Sequence, residues 1–229
     1  MQIRLSLVMF FVFAVPGLVR ANGPDDSLLP YSVGVNGRSG IYLGKGLVLS
    51  VAHVVGGGIV NKPKVFIAGQ TLTATVVKES PFEQLDLALL EIDESGLPVS
   101  LRLRRIPLCQ GKTWPGEEVV SLSGQVPIRS QIVSPTSVPR DARKFSTVIR
   151  DVAGTGLSGS GVFEARRKCL LGIVSRAISQ VRTQKNTGTK TTLNIGKYFV
   201  PAETIAEFMP AQLRLAPEGY PPVQFSFRQ

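Results

Sequence analysis

The stretch Tyr31-Ser32-Val33-Gly34-Val35-Asn36-Gly37-Arg38-Ser39-Gly40-Ile41-Tyr42-Leu43-Gly44-Lys45-Gly46-Leu47-Val48-Leu49-Ser50-Val51 holds three short runs of β-branched and apolar residues. These are Tyr31 to Val35, Ile41 to Leu43 and Leu47 to Val51, divided by Asn, Gly and Ser. Short runs bounded by turn-forming residues predict strands joined by turns. The pattern continues outward through Lys64 to Ala68, Thr71 to Val77 and Leu85 to Ile92. After a polar break it resumes at Glu117 to Leu122, Ile128 to Val133, Phe145 to Arg150, Gly161 to Phe163, Cys169 to Val174 and Tyr198 to Val200. An all-β sandwich or barrel is indicated, in place of a βαβ protein. Two series of about six runs each predict two six-stranded antiparallel β-barrels.

The segment Asp93 to Pro115 has no regular period and contains Gly96, Pro98, Pro107, Gly111 and Pro115, so it marks the connection between the two units. The expected division is 22–100 for an N-terminal barrel and 101–229 for a C-terminal barrel with a helix and tail. Near the end, Ile205, Phe208, Met209 and Leu213 recur at near-helical spacing, with Pro201 suited to a first helical position. Pro210 interrupts that pattern, which predicts a short C-terminal helix. From Ala216 the chain is rich in proline and aromatics and is expected to lie along the surface.

At the other end, Arg4 precedes an apolar run from Leu5 to Val15, and Val19-Arg20-Ala21 supplies small residues suited to signal peptidase. Residues 1–21 thus predict a secretory signal peptide cleaved after Ala21. The apolar run is shorter than the roughly 20 residues that a bilayer span needs, and Pro16 follows it. No later segment is long and apolar enough to span, so the mature protein is expected to be exported, in the periplasm or outside the cell, with no transmembrane segment.

The chain of 229 residues carries a formal net charge of +10 at pH 7. The charge is uneven: residues 22–100 hold 5 basic and 8 acidic side chains, and residues 101–198 hold 17 basic and 5 acidic. Such a field favours acidic partners or polyanions at the second barrel; the alternative is a solubilising surface spread over several hairpins. No nucleic-acid partner is expected. The only two cysteines, Cys109 and Cys169, would meet an oxidising compartment, where an intrachain disulfide is expected; two buried free thiols are the alternative.

Chemistry concentrates in three places. The single histidine, His53, directly follows the apolar run Leu49-Ser50-Val51-Ala52 and precedes Gly56-Gly57-Gly58, a strand end from which a barrel can present an imidazole to a cleft. Asp86 opens the apolar strand Leu87-Ala88-Leu89-Leu90, where a carboxylate calls for a partner such as a histidine N–H. Gly154-Thr155-Gly156-Leu157-Ser158-Gly159-Ser160-Gly161-Val162-Phe163 is a glycine-dense turn that can aim backbone N–H groups into one concavity beside a serine. Each alone has an ordinary structural explanation; together they fit one mechanism.

Ser50-Val51-Ala52-His53, Asp86-Leu87-Ala88-Leu89 and Gly156-Leu157-Ser158-Gly159-Ser160-Gly161 resemble the histidine, aspartate and serine motifs of trypsin-like serine proteases, in that chain order. Their separations of 33 and 72 residues are similar to those of compact bacterial proteases of the high-temperature-requirement type. Leu171-Gly172-Ile173-Val174-Ser175 and Ile195-Gly196-Lys197-Tyr198-Phe199-Val200-Pro201 resemble later strands of that family, whose C-terminal peptide-binding domain is not expected here. The resemblance implies two barrels packed around a catalytic cleft and a serine endopeptidase acting on proteins or peptides. It implies Ser158 as nucleophile, His53 as proton carrier and Asp86 as its orienting carboxylate, with the N–H groups of Gly156 and Ser158 as oxyanion hole. Val152 and Ala153 would form the base of the specificity pocket and Ser175, Arg176 and Ala177 its wall, a lining that favours small or medium apolar residues, with an acidic preference aided by Arg176 as the alternative. No metal or organic cofactor is implied.

Two departures stand out: Leu157 replaces the aspartate that pairs with a newly cut amino terminus in activated digestive proteases, and Ser160 replaces the commoner glycine. An α/β-hydrolase would need a Gly-x-Ser-x-Gly elbow and a histidine last in the chain, which this sequence lacks. From another class, the alternative is a catalytically silent protease homologue serving as a secreted polyanion-binding module.

Overall fold

A computed structural model describes residues 23, 25–56, 62–123, 126–150, 157–184, 186 and 188–213. The expected signal peptide and the tail from Ala216 lie outside these residues. So do Val152, Ala153 and Gly156.

The first six strands are β1 (Ser32–Val35), β2 (Arg38–Gly44), β3 (Leu47–Ser50), β4 (Lys64–Ile67), β5 (Gln70–Ser80) and β6 (Leu87–Ile92). They close into an antiparallel barrel in the order β1-β2-β3-β6-β5-β4. The next six, β7 (Glu118–Ser123), β8 (Val126–Gln131), β9 (Val148–Arg150), β10 (Gly161–Glu164), β11 (Leu170–Thr183) and β12 (Lys190–Pro201), form a sheet ordered β8-β7-β10-β11-β12-β9. Its two ends meet where Ile132 bridges Ile149 and the Val133 N–H bonds the Val148 carbonyl at 2.7 Å. Read as a ring, this is the strand order of the first barrel repeated, a duplication that leaves no repeat in the sequence.

The positions of the apolar residues explain how the units join. In β2, β3 and β6, Tyr42, Val48, Ala88 and Leu90 fill the first barrel. The alternate residues Ile41, Leu43, Leu47, Leu49, Leu87 and Leu89 face outward into a cluster shared with Val120, Phe163, Leu170, Ile173 and Val200 of the second. Strands buried on both faces read as continuous apolar runs, which is why β6 opens Leu-Ala-Leu-Leu, with Asp86 just before it and the exposed Glu91 near its end. A third cluster, with Val119, Leu157, Val162, Leu171 and Phe199, belongs to the second barrel.

The described residues also hold three short α-helices, α1 (Ala52–Val55), α2 (Val99–Arg102) and α3 (Ala202–Phe208), and four 3-10 turns. Pro201 caps α3 and lies outside its first turn, and Ile205, Phe208 and Met209 seal the shared cluster. From the first barrel, the Lys78 ammonium donates to the Phe208 carbonyl at 2.8 Å, a cation at the helix end where carbonyls lack partners. Cys109 and Cys169 form a disulfide with Cα atoms 5.0 Å apart. It staples the end of the inter-barrel connection to the start of β11, where Leu108 pairs with Leu170 in a parallel bridge.

Candidate active site

The seam between the barrels brings His53 and Asp86 together and, through Ser175, the turn that carries Ser158. After β3 the chain turns at once into α1, whose Gly56 ends it in a left-handed conformation (φ 74°), and this single turn carries His53 to the cleft. Asp86 arrives by a different route. The turn Pro81 to Asp86 is closed by bonds from the Gln84 and Asp86 N–H groups to the Pro81 carbonyl, each 3.0 Å. Asp86 leaves that turn with φ 55°, a left-handed conformation that aspartate tolerates better than most side chains.

The two side chains meet directly. His53 Nδ1 lies 3.0 and 2.9 Å from the two Asp86 oxygens, and the His53 backbone N–H donates to Oδ1 at 3.1 Å. The Ser175 hydroxyl donates to Oδ2 at 2.5 Å. The Asp86 carboxylate is wholly buried, and these donors replace the water it has lost. Because Nδ1–H is held by the carboxylate, the Nε2 side of the ring is left as the basic one. The imidazole is about one-third exposed and packs edge-on against Phe82, with ring centroids 5.5 Å apart.

Ser158 occupies a tight turn in which the Ser160 N–H bonds the Leu157 carbonyl at 2.8 Å. The third residue of that turn, Gly159, has positive φ (87°), as in a type II turn, which favours glycine there. A Cβ on Gly159 would lie 1.9 Å from the Ser39 carbonyl oxygen, so only glycine fits. The turn is pinned to both barrels: the Gly159 N–H bonds the Val174 carbonyl at 2.8 Å and the Ser39 N–H bonds the Ser158 carbonyl at 3.3 Å. The Ser158 hydroxyl donates to the Ser175 carbonyl at 3.4 Å, so Ser175 touches both the serine turn and the carboxylate. Leu157 is buried in the apolar cluster of the second barrel, where no ion pair with an amino terminus can form.

Of the expected pocket wall, Ser175 turns its hydroxyl to Asp86, Arg176 lies against aromatic rings from both barrels, and Ala177 is exposed. Gly156, Val152 and Ala153 are outside the described residues. The link between Ser175 and Asp86 escaped the sequence reading, since the two lie 89 residues apart with no local signal joining them. No group of carboxylates, histidines and cysteines able to hold a metal occurs among the described residues.

Two barrels of this strand order, with a histidine and carboxylate on one wall of their seam and a serine turn on the other, are the framework of trypsin-like serine endopeptidases, and that is the class of this protein. The chain belongs to the trypsin-like peptidase domain family, which matches residues 38–173. Its fold is similar to that of the Rv3671c protease from M. tuberculosis in its active form, at 20% identity over 94% of this chain and 97% of that one, with a TM-score of 0.54. It is also similar to the MamO protease domain from Magnetospirillum magneticum, at 20% identity over 80% of this chain and 97% of that one, TM-score 0.55. A human pathogenic astrovirus serine protease shares 16% identity over 80% and 94% of the two chains, TM-score 0.51. No curated protein matches the sequence. No helix among the described residues is long and apolar enough to cross a membrane.

Proposed function

We propose that the protein cleaves peptide bonds through an acyl-enzyme, with Ser158 as nucleophile, His53 as general base and acid, and Asp86 as the carboxylate that orients it. The observation that carries this reading is the His53 Nδ1 to Asp86 contact at 2.9 Å, which, with the proton on Nδ1, leaves Nε2 as the proton acceptor of an imidazole about one-third exposed. In the first half-reaction Ser158 Oγ bonds to the scissile carbonyl carbon and its proton passes to His53 Nε2. The C–N bond then breaks as that proton moves to the departing amine. In the second, water replaces the amine and the acid is released. The N–H groups of Gly156 and Ser158 would take the developing oxyanion; one such donor is worth roughly 3 kcal/mol in comparable sites.

Export with removal of residues 1–21 forms part of the proposal, as does a preference for small or medium apolar residues before the scissile bond. Burial of Leu157 supports activity without cleavage of an activation segment. The test is labelling by a tagged fluorophosphonate, which forms a covalent bond only with an activated serine. A chain beginning at Asn22 should label directly, at Ser158. Absence of labelling, or labelling that requires a further cut, would overturn the proposal.

A further inference from the structure

Arg176 follows Ser175 on β11, and its guanidinium lies against three aromatic rings and donates two hydrogen bonds. Its centre lies 4.0 Å from the ring centroid of Phe82, on the first barrel's turn before Asp86. It lies 4.5 Å from that of Phe145, on the second barrel, and 6.0 Å from that of Tyr198 on β12. Phe145 and Tyr198 themselves pack at 4.8 Å. Two N–H groups are committed as well. Nη2 donates to the Phe82 carbonyl at 2.8 Å, and Nε donates to the Ser175 hydroxyl at 3.3 Å.

Two routes therefore lead from this one side chain to the reacting pair. Through Ser175, the hydroxyl that accepts a hydrogen bond from Nε–H donates its own O–H to Asp86 Oδ2. Accepting one bond leaves that hydroxyl fewer orientations in which to donate, so the arginine fixes the direction of the bond to the carboxylate. Through Phe82, the ring held under the guanidinium is the one that packs edge-on against His53. A planar cation suits both tasks, since it stacks on rings and donates from fixed positions in its plane; an ammonium does neither as well.

We propose that Arg176 is a positioning residue for peptide hydrolysis: it clasps the two barrels together at the rim of the cleft and holds both Ser175 and Phe82 where they align Asp86 and His53. This rests on the serine-protease reading above. The two are separable, because fluorophosphonate labelling tests the reading and the variants below test the clasp.

The experiment measures kcat and KM on a peptide substrate, each normalised to the active fraction titrated with fluorophosphonate, for wild type, Arg176→Ala, Arg176→Lys and Phe145→Ala. Misalignment of a catalytic group lowers kcat, and loss of substrate contacts raises KM. Arg176→Ala is expected to lower kcat about tenfold or more with KM changed less than about threefold. Arg176→Lys should recover only a small part, since charge alone does not restore the planar contacts. Phe145→Ala, which leaves both hydrogen bonds, should fall between wild type and Arg176→Ala. Millimolar methylguanidinium, entering the space left in Arg176→Ala, should restore part of kcat. An unchanged kcat per titrated site in Arg176→Ala, or full recovery in Arg176→Lys, would overturn the clasp. If Arg176→Ala does not fold, Arg176→Lys and Phe145→Ala decide by the same kcat criterion. Failure of the wild type to label would remove the protease reading and this inference with it.

Discussion

Ser175 donates its hydroxyl to the buried carboxylate of Asp86 across the seam between the barrels, the two residues lying 89 positions apart in the chain. It joins the bonds from the His53 ring and backbone, so Asp86 has its charge satisfied only when both barrels are in place. Removing the side chain should weaken the site without emptying it. A hydrogen bond to a charged group contributes roughly 1.5–3 kcal/mol, so Ser175→Ala is expected to lower kcat by one to two orders of magnitude. Asp86→Asn should cost more, roughly 10⁴ in kcat, because the His53 tautomer is no longer enforced. Steady-state kinetics on the two variants, with circular dichroism confirming the fold, checks the ordering; equal losses would contradict it.

The two serines of the glycine turn separate cleanly by environment. Ser158 is half-buried and touches the Ser175 carbonyl, whereas Ser160 is 1% exposed and its hydroxyl has no partner among the described residues. Ser158→Ala should abolish turnover and fluorophosphonate labelling. Ser160→Ala should keep both and should not lower thermal stability, since an unsatisfied buried hydroxyl costs about 1–3 kcal/mol. Loss of labelling in Ser160→Ala but not in Ser158→Ala would relocate the nucleophile.

The sites that were legible in the sequence are those where a local rule is broken: a carboxylate heading an apolar strand, a histidine at a strand end, a serine among glycines. Less legible were features without local contrast. The apolar run ends at Val174, yet β11 continues to Thr183 and β12 begins at Lys190, paired from Ser179 with Asn194 to Thr183 with Lys190. That part of the hairpin is exposed along most of its length, so no alternation of apolar and polar residues marks it. In the other direction, the expected strand Phe145 to Arg150 shrinks to Val148–Arg150, because Phe145 packs on Tyr198 and Arg176 from a loop. Such long-range contacts, Ser175 to Asp86 among them, become visible only once the barrels are assembled.

Acid should weaken the attachment of the N-terminal segment to the second barrel. Burial pushes the Asp25 carboxyl up, but hydrogen bonds from Lys168 and Arg129, with the attraction of both charges, outweigh it and hold Asp25 below the usual carboxylate range. A carboxyl lowered in the folded state adds stability that is present above its unfolded pKa, about 3.9, and lost as pH falls through the lower folded value. Asp25→Asn should thus be less stable than wild type at pH 7, with the gap closing below about pH 4. Urea unfolding of both proteins from pH 3 to 7 measures it, and a gap that widened in acid would contradict the assignment.

The disulfide should matter for stability more than for geometry. The Cys109 N–H bonds the Leu170 carbonyl at 3.0 Å and the Leu170 N–H bonds the Pro107 carbonyl at 2.8 Å, so the backbone already fixes the connecting segment against β11. The bridge acts chiefly on the unfolded chain: closing a loop between residues 60 positions apart contributes on the order of 4 kcal/mol in the chain-entropy account. Titration of the denatured, unreduced protein should find no free thiol, and reduction should release two per chain. The Cys109→Ser, Cys169→Ser double variant should unfold at lower denaturant while keeping kcat within about threefold of wild type at a temperature where it remains folded. Two thiols before reduction would exclude the bridge. A large loss of kcat in the folded double variant would mean that the staple, in addition to the hydrogen bonds beside it, holds β11 and with it Ser175 in register with Asp86.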